Sequence, residues 1–425
     1  MNEIHAPYLI VGFSVAGRWG ARAIQEKNAF TPIVAVSEEQ GWYSRPLITY
    51  ALGGNNPSIE HSTWSLDATS LNILEGDRVE HFDSENRVAF LRSGKRVFFE
   101  KALLAPGGVP IVPPLEGIAE SGVFTFTGRR DLERMRQFLE TVKPRRILIL
   151  GGGFIGLKTC EAFMRRGLEI TLVELSSRLL PLMLDDDGSR YVENALVQAG
   201  VQVILGETVT AFEGNGEKLV RATLREGGYT PVDCAVVAVG VRPNVEWLRD
   251  SGIEIQKGIL VDEFQETSKR SIFAAGDVAE TRHLLTGERG VVAIWPEAVR
   301  QGKVAGANMA GGRVTYPGSL PLNALDLGGM ALVSVGLVNP PGNGDYEALV
   351  RKEKNEYMKV ILKDERIVGL VMLGKIEKSG LYIRLLRERI PVTSFRERLL
   401  DPKFSLVSLP REFRKSWIEG VGLEV

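Results

Sequence analysis

Two short stretches of this sequence have the composition to hold a phosphate-bearing ligand. Gly151-Gly152-Gly153-Phe154-Ile155-Gly156 carries the spacing Gly-x-Gly-x-x-Gly, and Gly12-Phe13-Ser14-Val15-Ala16-Gly17 repeats it with Ser14 at the second glycine position. A glycine turn between strand and helix lets a pyrophosphate approach the backbone, and the helix N-terminus offers N–H groups and positive potential. About 20 residues further on, each stretch has an acid suited to a ribose diol: Glu174 in the second, Glu38 with Glu39 beside it in the first. Glu174 would repel a 2′-phosphate, which favours NADH over NADPH; Arg178 either softens that preference or is a solvated arginine. A serine at position 14 is tolerable where its hydroxyl faces a phosphate oxygen. The competing reading is a purely structural turn, and it weighs more on the first stretch than on the second.

The elements around these turns have the order of two βαβ units. Tyr8–Val11 reads as a strand, followed by a helix to about Lys27 and a strand over Ile33–Val36. Arg146–Leu150 begins the second unit, with a helix to about Arg166 and a strand over Glu169–Val173. Strands alternating with helices predict two parallel sheets. Between the units, Arg87–Phe99 reads as antiparallel strands about a Ser93-Gly94 turn, and a separate strand over Lys101–Ala105 breaks at Pro106-Gly107-Gly108. Further strands are expected near Val201–Leu205, Val209–Phe212, Leu219–Leu224, Cys234–Val239 and Ser271–Ala274. Trp295-Pro296-Glu297 opens a helix with a small-residue face, and Asp277 follows a buried strand, placed for a ligand hydroxyl or for a plain Asx turn. From about Val314 short strands precede a basic helical segment.

Composition narrows the function classes. The chain has 425 residues, 44% hydrophobic and 25% charged, with a net charge of −1. That is the mixture of a globular chain of two or three domains, without the basic excess of a general nucleic-acid binder. No apolar run reaches the length of a membrane helix. The two cysteines, Cys160 and Cys234, make no Cys-x-x-Cys pair and read as buried small residues in a reducing cytoplasm. The four histidines, His61 among them, are scattered without metal-ligand spacing. Lys375–Lys415 holds eleven basic and five acidic residues, an excess of +6, read as a solvated helix face or as a dock for an acidic partner.

The paired glycine motifs, Tyr43-Ser44-Arg45-Pro46, Val239-Gly240-Val241-Arg242-Pro243-Asn244, Ala274-Ala275-Gly276-Asp277 and the Gln301–Gly311 stretch resemble the pyridine nucleotide–disulfide oxidoreductase family over about residues 6–315. The look is nearest to NADH:rubredoxin reductases and the flavin part of NAD(P)H nitrite reductases. The resemblance implies an α/β fold with two Rossmann-like FAD- and NAD-binding domains in a glutathione-reductase-like arrangement, plus an α+β C-terminal domain. Its expected boundaries are 1–118 with 245–314 for FAD, 119–244 for NAD(H), and 315–425 for a C-terminal interface or partner domain. FAD would lie on Gly12, Ser14 and Gly17, with Glu38 on its ribose, Arg45, Ala105 and Gly107 along its body, and Asp277 on its ribityl chain. NADH would lie on Gly151, Gly153, Phe154, Ile155, Gly156, Glu174 and Gly240.

Departures from the family pattern carry as much weight. The Tyr43–Leu52 region beside the expected flavin has no cysteine, and no histidine follows His283. Where many relatives have a lysine–glutamate pair near the flavin, this chain has Tyr50 and Lys158. Lys158 is the candidate catalytic residue, a positive charge beside flavin and nicotinamide, with a surface lysine as the alternative. The expected activity is cytoplasmic FAD-dependent NADH oxidation, electrons leaving to a rubredoxin- or ferredoxin-like carrier or a partner subunit. An oxygen-using NADH oxidase and a non-catalytic nucleotide sensor are the rivals. Residues 315–425 serve dimerisation, docking, or both. Nitrite reduction by this chain alone is not expected, because it lacks a cysteine set for an iron–sulfur or sirohaem centre.

Overall fold

The computed structural model describes residues 2–54, 59, 66–342 and 345–418; His61 lies outside them. Three sheets organise the molecule, and each follows from the texture of its strands.

In the first sheet, Glu3–Val11 lies between Ile33–Ser37 and Arg96–Leu104, parallel to both. Its inner residues Leu9, Ile10 and Val11 are buried, as a strand covered on both faces requires. The strand expected over Lys101–Ala105 is not separate. Arg96–Leu104 is one strand, because nothing between Phe99 and Lys101 has the chemistry of a turn. Its first half pairs antiparallel with Val88–Leu91, and its second half pairs parallel with Ile272–Ala274, which arrives from far along the chain.

The second sheet is entirely parallel, in the order Gln202–Leu205, Glu169–Glu174, Arg146–Leu150, Cys234–Val237, Val123–Thr125. Its glycine-turn helix runs Phe154–Met164, two residues short of the expected end. Two helices go unread in the sequence, Arg129–Thr141 and Asp186–Gln198. The first buries only Leu132, Met135, Phe138 and Leu139, a narrow apolar stripe in a charged segment.

The third sheet is antiparallel, in the order Leu322–Leu327, Met330–Gly336, Arg366–Leu373, Glu356–Lys363, Tyr346–Glu353. Its edge strand Tyr346–Glu353 has no buried residue, which is why its apolar signal is too thin to read. Alternation decides the two faces. Leu332, Tyr357, Val371 and Leu373 join the core of the second unit, whereas Val333, Met358, Val360 and Met372 pack with Tyr382, Leu385 and Leu386 of the helix Ser379–Arg387. The expected basic helical segment is two short helices, Ser379–Arg387 and Arg411–Ile418, joined by turns and two 3-10 stretches. Acids from outside it reach in: Lys375 pairs with Glu356 at 2.5 Å, and Arg396 pairs with Glu347 and with Glu365 at 3.0 Å. The local field is correspondingly weaker than the +6 excess suggests. Among the described residues no helix is long and apolar enough to cross a membrane.

Candidate functional site

A continuous cleft of about 1910 Å³ runs between the first two sheets and is lined by both glycine turns. It exceeds the roughly 300–1,000 Å³ of a single-ligand pocket.

On the first side, Gly12 sits at φ +88°, and a β-carbon there would strike the Ala105 carbonyl oxygen, so only glycine permits the contact. Ser14 caps the helix Val15–Lys27 yet makes no capping hydrogen bond, so its hydroxyl is uncommitted at the cleft wall. Glu38 is exposed at the rim, 3.9 Å from both Arg78 and Arg92. Arg45 lies 3.6 Å from Glu39, and its Nε is buried without a partner. Ala105, Gly107 and Asp277 also line the cleft. Burial pushes the Asp277 carboxyl above the usual carboxylate range, and Arg45 opposes that shift.

Sequence reasoning missed what fixes the Asp277 turn. Gln301 accepts the Gly276 N–H at 2.7 Å and is itself held by Tyr316 and Ser319, both at 3.3 Å. Gln301 looks in sequence like one more residue in a small-residue helix face. Only the return of Tyr316 and Ser319 to that helix makes it a support. The same helix presents Trp295 and Pro296 to the cleft from its first turn.

On the second side, Gly151 takes φ +114° with the Ala238 carbonyl behind it, while a β-carbon on Gly153 would meet nothing within 4 Å. The first glycine is needed by the fold; the second leaves open space where a ligand approaches. Glu174 accepts N–H groups from Gly152 at 2.5 Å and Ser176 at 2.7 Å, so its carboxylate is fixed across the turn. Phe154, Ile155 and Gly240 complete that wall. Gly17 and Gly156, expected to touch ligand, lie outside the cleft lining. A side chain at either would collide with the carbonyl of Gly12 or Gly151, so the third glycine packs helix against turn.

Lys158 is not a surface lysine. It is buried in the cleft wall on the second unit's helix, ion-paired with Glu161, and its Nζ lies 3.3 Å from the Tyr50 hydroxyl and 4.3 Å from that ring's centre. Arg165 holds the other Glu161 oxygen at 2.6 Å. Tyr50 arrives on the short helix Ile48–Leu52, which Arg136 and Arg166 tie down through the carbonyls of Ala51 and Leu52 at 2.7 and 2.5 Å. Tyr43 makes a second tie. Its hydroxyl donates to Glu39 at 2.8 Å and accepts the Arg129 N–H at 3.0 Å, and burial pushes the phenol up to about 12, keeping the donated proton in place.

Both cysteines are fully buried and neither lines the cleft. Burial pushes both thiols up, Cys160 to about 12. Among the described residues no group of His, Cys, Asp or Glu is arranged to hold a metal ion.

Residues 6–302 match the pyridine nucleotide-disulphide oxidoreductase family, and residues 321–390 match the rubredoxin NAD+ reductase C-terminal domain. The chain belongs to the pyridine nucleotide-disulphide oxidoreductase family and is an FAD-dependent NAD(P)H oxidoreductase with FAD and NAD(H) as its cofactors. It is similar to the NADH-dependent phenylglyoxylate dehydrogenase subunit epsilon of Aromatoleum evansii, 29% identical over 405 residues, covering 93% of this chain and 95% of that one. The NADH oxidase of Methanocaldococcus jannaschii is 29% identical over 391 residues, 86% of this chain and 87% of the other. Among solved structures, an NAD-dependent persulfide reductase from A. fulgidus superposes with a TM-score of 0.86 at 25% identity, over 95% of this chain and 80% of that chain.

Proposed function

We propose that the chain oxidises NADH on the second side of the cleft and passes the electrons from FAD on the first side to a protein or one-electron carrier, without a thiol relay. The observation that carries this reading is the burial of both thiols away from the cleft. A thiol whose ionisation is pushed up to about 12 is no nucleophile near neutrality. Electrons then leave from the flavin itself, and a rubredoxin- or ferredoxin-type carrier or a partner subunit is the acceptor we favour. The match to a rubredoxin reductase C-terminal domain and the similarity to a dehydrogenase subunit support it.

The residues fit the cofactor on two counts. The buried Arg45 Nε has no partner, and the Ser14 hydroxyl has no capping role. When bound, FAD supplies the ability to take an electron pair and release electrons singly. In our assignment residues 1–118 with 245–314 hold it, 119–244 hold NADH, and 315–425 form the interface domain. Gly12 lets the turn close, Ser14 offers its backbone N–H and hydroxyl to the phosphates, Glu38 accepts from its ribose, Arg45, Ala105 and Gly107 follow its body, and Asp277 accepts from its ribityl hydroxyls. Gly151, Gly153, Phe154 and Ile155 receive the NADH phosphates, Glu174 the ribose, and Gly240 closes the wall. Lys158, fixed by Glu161, keeps a positive charge where the two ligands meet and favours negative charge developing there.

Anaerobic titration with NADH, then NADPH, followed by flavin absorbance, tests the cofactor assignment. NADH should bleach the yellow protein faster than NADPH does. Reoxidation by added rubredoxin or ferredoxin should outpace reoxidation by air; the reverse order would transfer the protein to the oxidases. Lys158→Met should slow bleaching by about tenfold or more, with Lys158→Arg retaining most of the rate. An unchanged rate in Lys158→Met would remove its role.

A further inference from the structure

The segment between Glu174 and the helix Asp186–Gln198 forms one lip of the cleft through Leu180, Pro181, Leu182 and Met183. Its Leu180 N–H donates to the Gly152 carbonyl at 2.9 Å, so the lip rests directly on the glycine turn. Leu180 itself takes φ +49°, a conformation that a leucine keeps only where its surroundings impose it. Leu182 is 90% exposed, an apolar side chain standing free on a backbone anchored on both sides.

The anchors come from the C-terminal sheet and from the loop that follows its strand Met330–Gly336. Asn339 Nδ2 donates to the carbonyls of Pro181 and Leu184, both at 3.0 Å. The buried Ser334 hydroxyl donates to the Met183 carbonyl at 2.7 Å. Asp185, which caps the following helix through the Gly188 N–H at 2.9 Å, also accepts from Tyr357 and Lys359, each at 2.7 Å. Below these bonds, Leu179, Leu180, Met183 and Leu184 share one apolar core with Leu332, Tyr357 and Val371 of the sheet. A carbonyl in a loop is normally left to water. Here three of four successive carbonyls are claimed by one distant sheet and its adjoining loop, together with the acid that ends the lip.

We propose that the C-terminal sheet is a working wall of the NADH site: Ser334, Asn339, Tyr357 and Lys359 are positioning residues that hold the 180–185 lip against the Gly151–Gly153 turn. The inference rests on the reading that the second side of the cleft takes NADH. It gives the C-terminal domain a task in nucleotide binding that is separate from any partner it docks. Holding a loop in its bound geometry lowers the ordering cost of binding, so loosening it raises Kd and KM and spares the rate at saturation.

Lys359→Met and Asn339→Ala in the full-length holoenzyme separate this from a merely structural role. The readouts are NAD+ affinity of the oxidised protein by calorimetry, KM and kcat for NADH, FAD content, and amide exchange over 180–185. For Lys359→Met we expect Kd and KM to rise about tenfold, the effect of losing a charge-assisted hydrogen bond. The exposed Asn339 should give a rise of about threefold when replaced by alanine. In both variants kcat should stay within about twofold, FAD content should not change, and amide exchange over the lip should quicken. Lys359→Arg should restore the affinity. Unchanged Kd and KM beside faster exchange would overturn the proposal, as would a joint fall of kcat, affinity and FAD content. Should Lys359→Met not fold, Asn339→Ala alone decides. A wild-type protein that NADH does not bleach would instead overturn the underlying site assignment.

Discussion

The two glycine turns share a spacing and a strand–turn–helix setting, yet they are completed by different means. In the second, Glu174 closes on its own turn through Gly152 and Ser176, and the open side of Gly153 is ready for a ligand. In the first, the equivalent acid, Glu38, stays at the exposed rim among arginines, and the cleft wall is completed by distant segments: the Ala105 bend and the Asp277 turn braced by Gln301. A local motif can therefore specify a turn without specifying the site. Each first glycine rests on a distant carbonyl, Ala105 or Ala238; the units differ in the acid, which in the second folds back onto its own turn and in the first does not.

The strongest way to break this comparison is at the backbone. Gly151→Val forces a side chain into φ +114° against the Ala238 carbonyl, and we expect a loss of about 3 kcal/mol or more, seen as a large drop in melting temperature. Gly153→Ala should leave stability within about 0.5 kcal/mol, because nothing lies within 4 Å of the new methyl, yet weaken NADH binding. Equal damage from both would mean that fold and ligand roles are not divided between the two glycines.

Next come the acids. Glu174→Gln loosens a carboxylate that holds two backbone N–H groups, so KM for NADH should rise about tenfold and the preference over NADPH should narrow. Glu38→Gln should lower FAD retention and leave KM for NADH alone. Steady-state kinetics with both nucleotides, beside a flavin count, checks the pair.

A smaller effect is expected in the helices. Counted from the first glycine of each turn, Cys160 stands where the first unit has Ala21, and both are fully buried. Cys160→Ala should cost about 1 kcal/mol and leave NADH reduction intact. The folded thiol ionises at about 12 against 9.0 for a free one. Its contribution to stability is complete below pH 9 and is lost as pH climbs towards 12, so the variant should be less sensitive to alkali than the parent. Iodoacetamide should label neither thiol in the native protein at neutral pH and both after denaturation. The least change is expected from Ser14→Gly, which restores the full glycine pattern. With no capping bond to lose, stability should move by only a few tenths of a kcal/mol, and FAD should be retained.

Much of the site is legible in the order of the residues. Glycine spacing, the strand before it and the acid after it are local facts, and Gly12, Gly151 and Glu174 stand in the structure as that pattern requires. Gly17 and Gly156 cannot be told from ligand contacts by spacing alone, since a packing glycine and a phosphate glycine have the same formula. The continuous strand Arg96–Leu104 reads as two in the sequence because its halves pair with different partners, which leaves two textures along one segment.

The order of residues alone specified the two nucleotide folds, the lack of a Cys-x-x-Cys pair and the end of the first glycine-turn helix at Lys27, because hydrophobic period, cysteine count and glycine geometry act over a few residues. Only the tertiary structure decided that Lys158 is buried against Glu161 and Tyr50, that Gln301 braces Asp277, and that a C-terminal sheet grips a loop some 150 residues earlier. Apart from the Lys158–Glu161 pair on one helix, those contacts join segments far apart in the chain. Each is fixed by the packing of whole sheets, and no local pattern of residues encodes which distant carbonyl or carboxylate a side chain will meet.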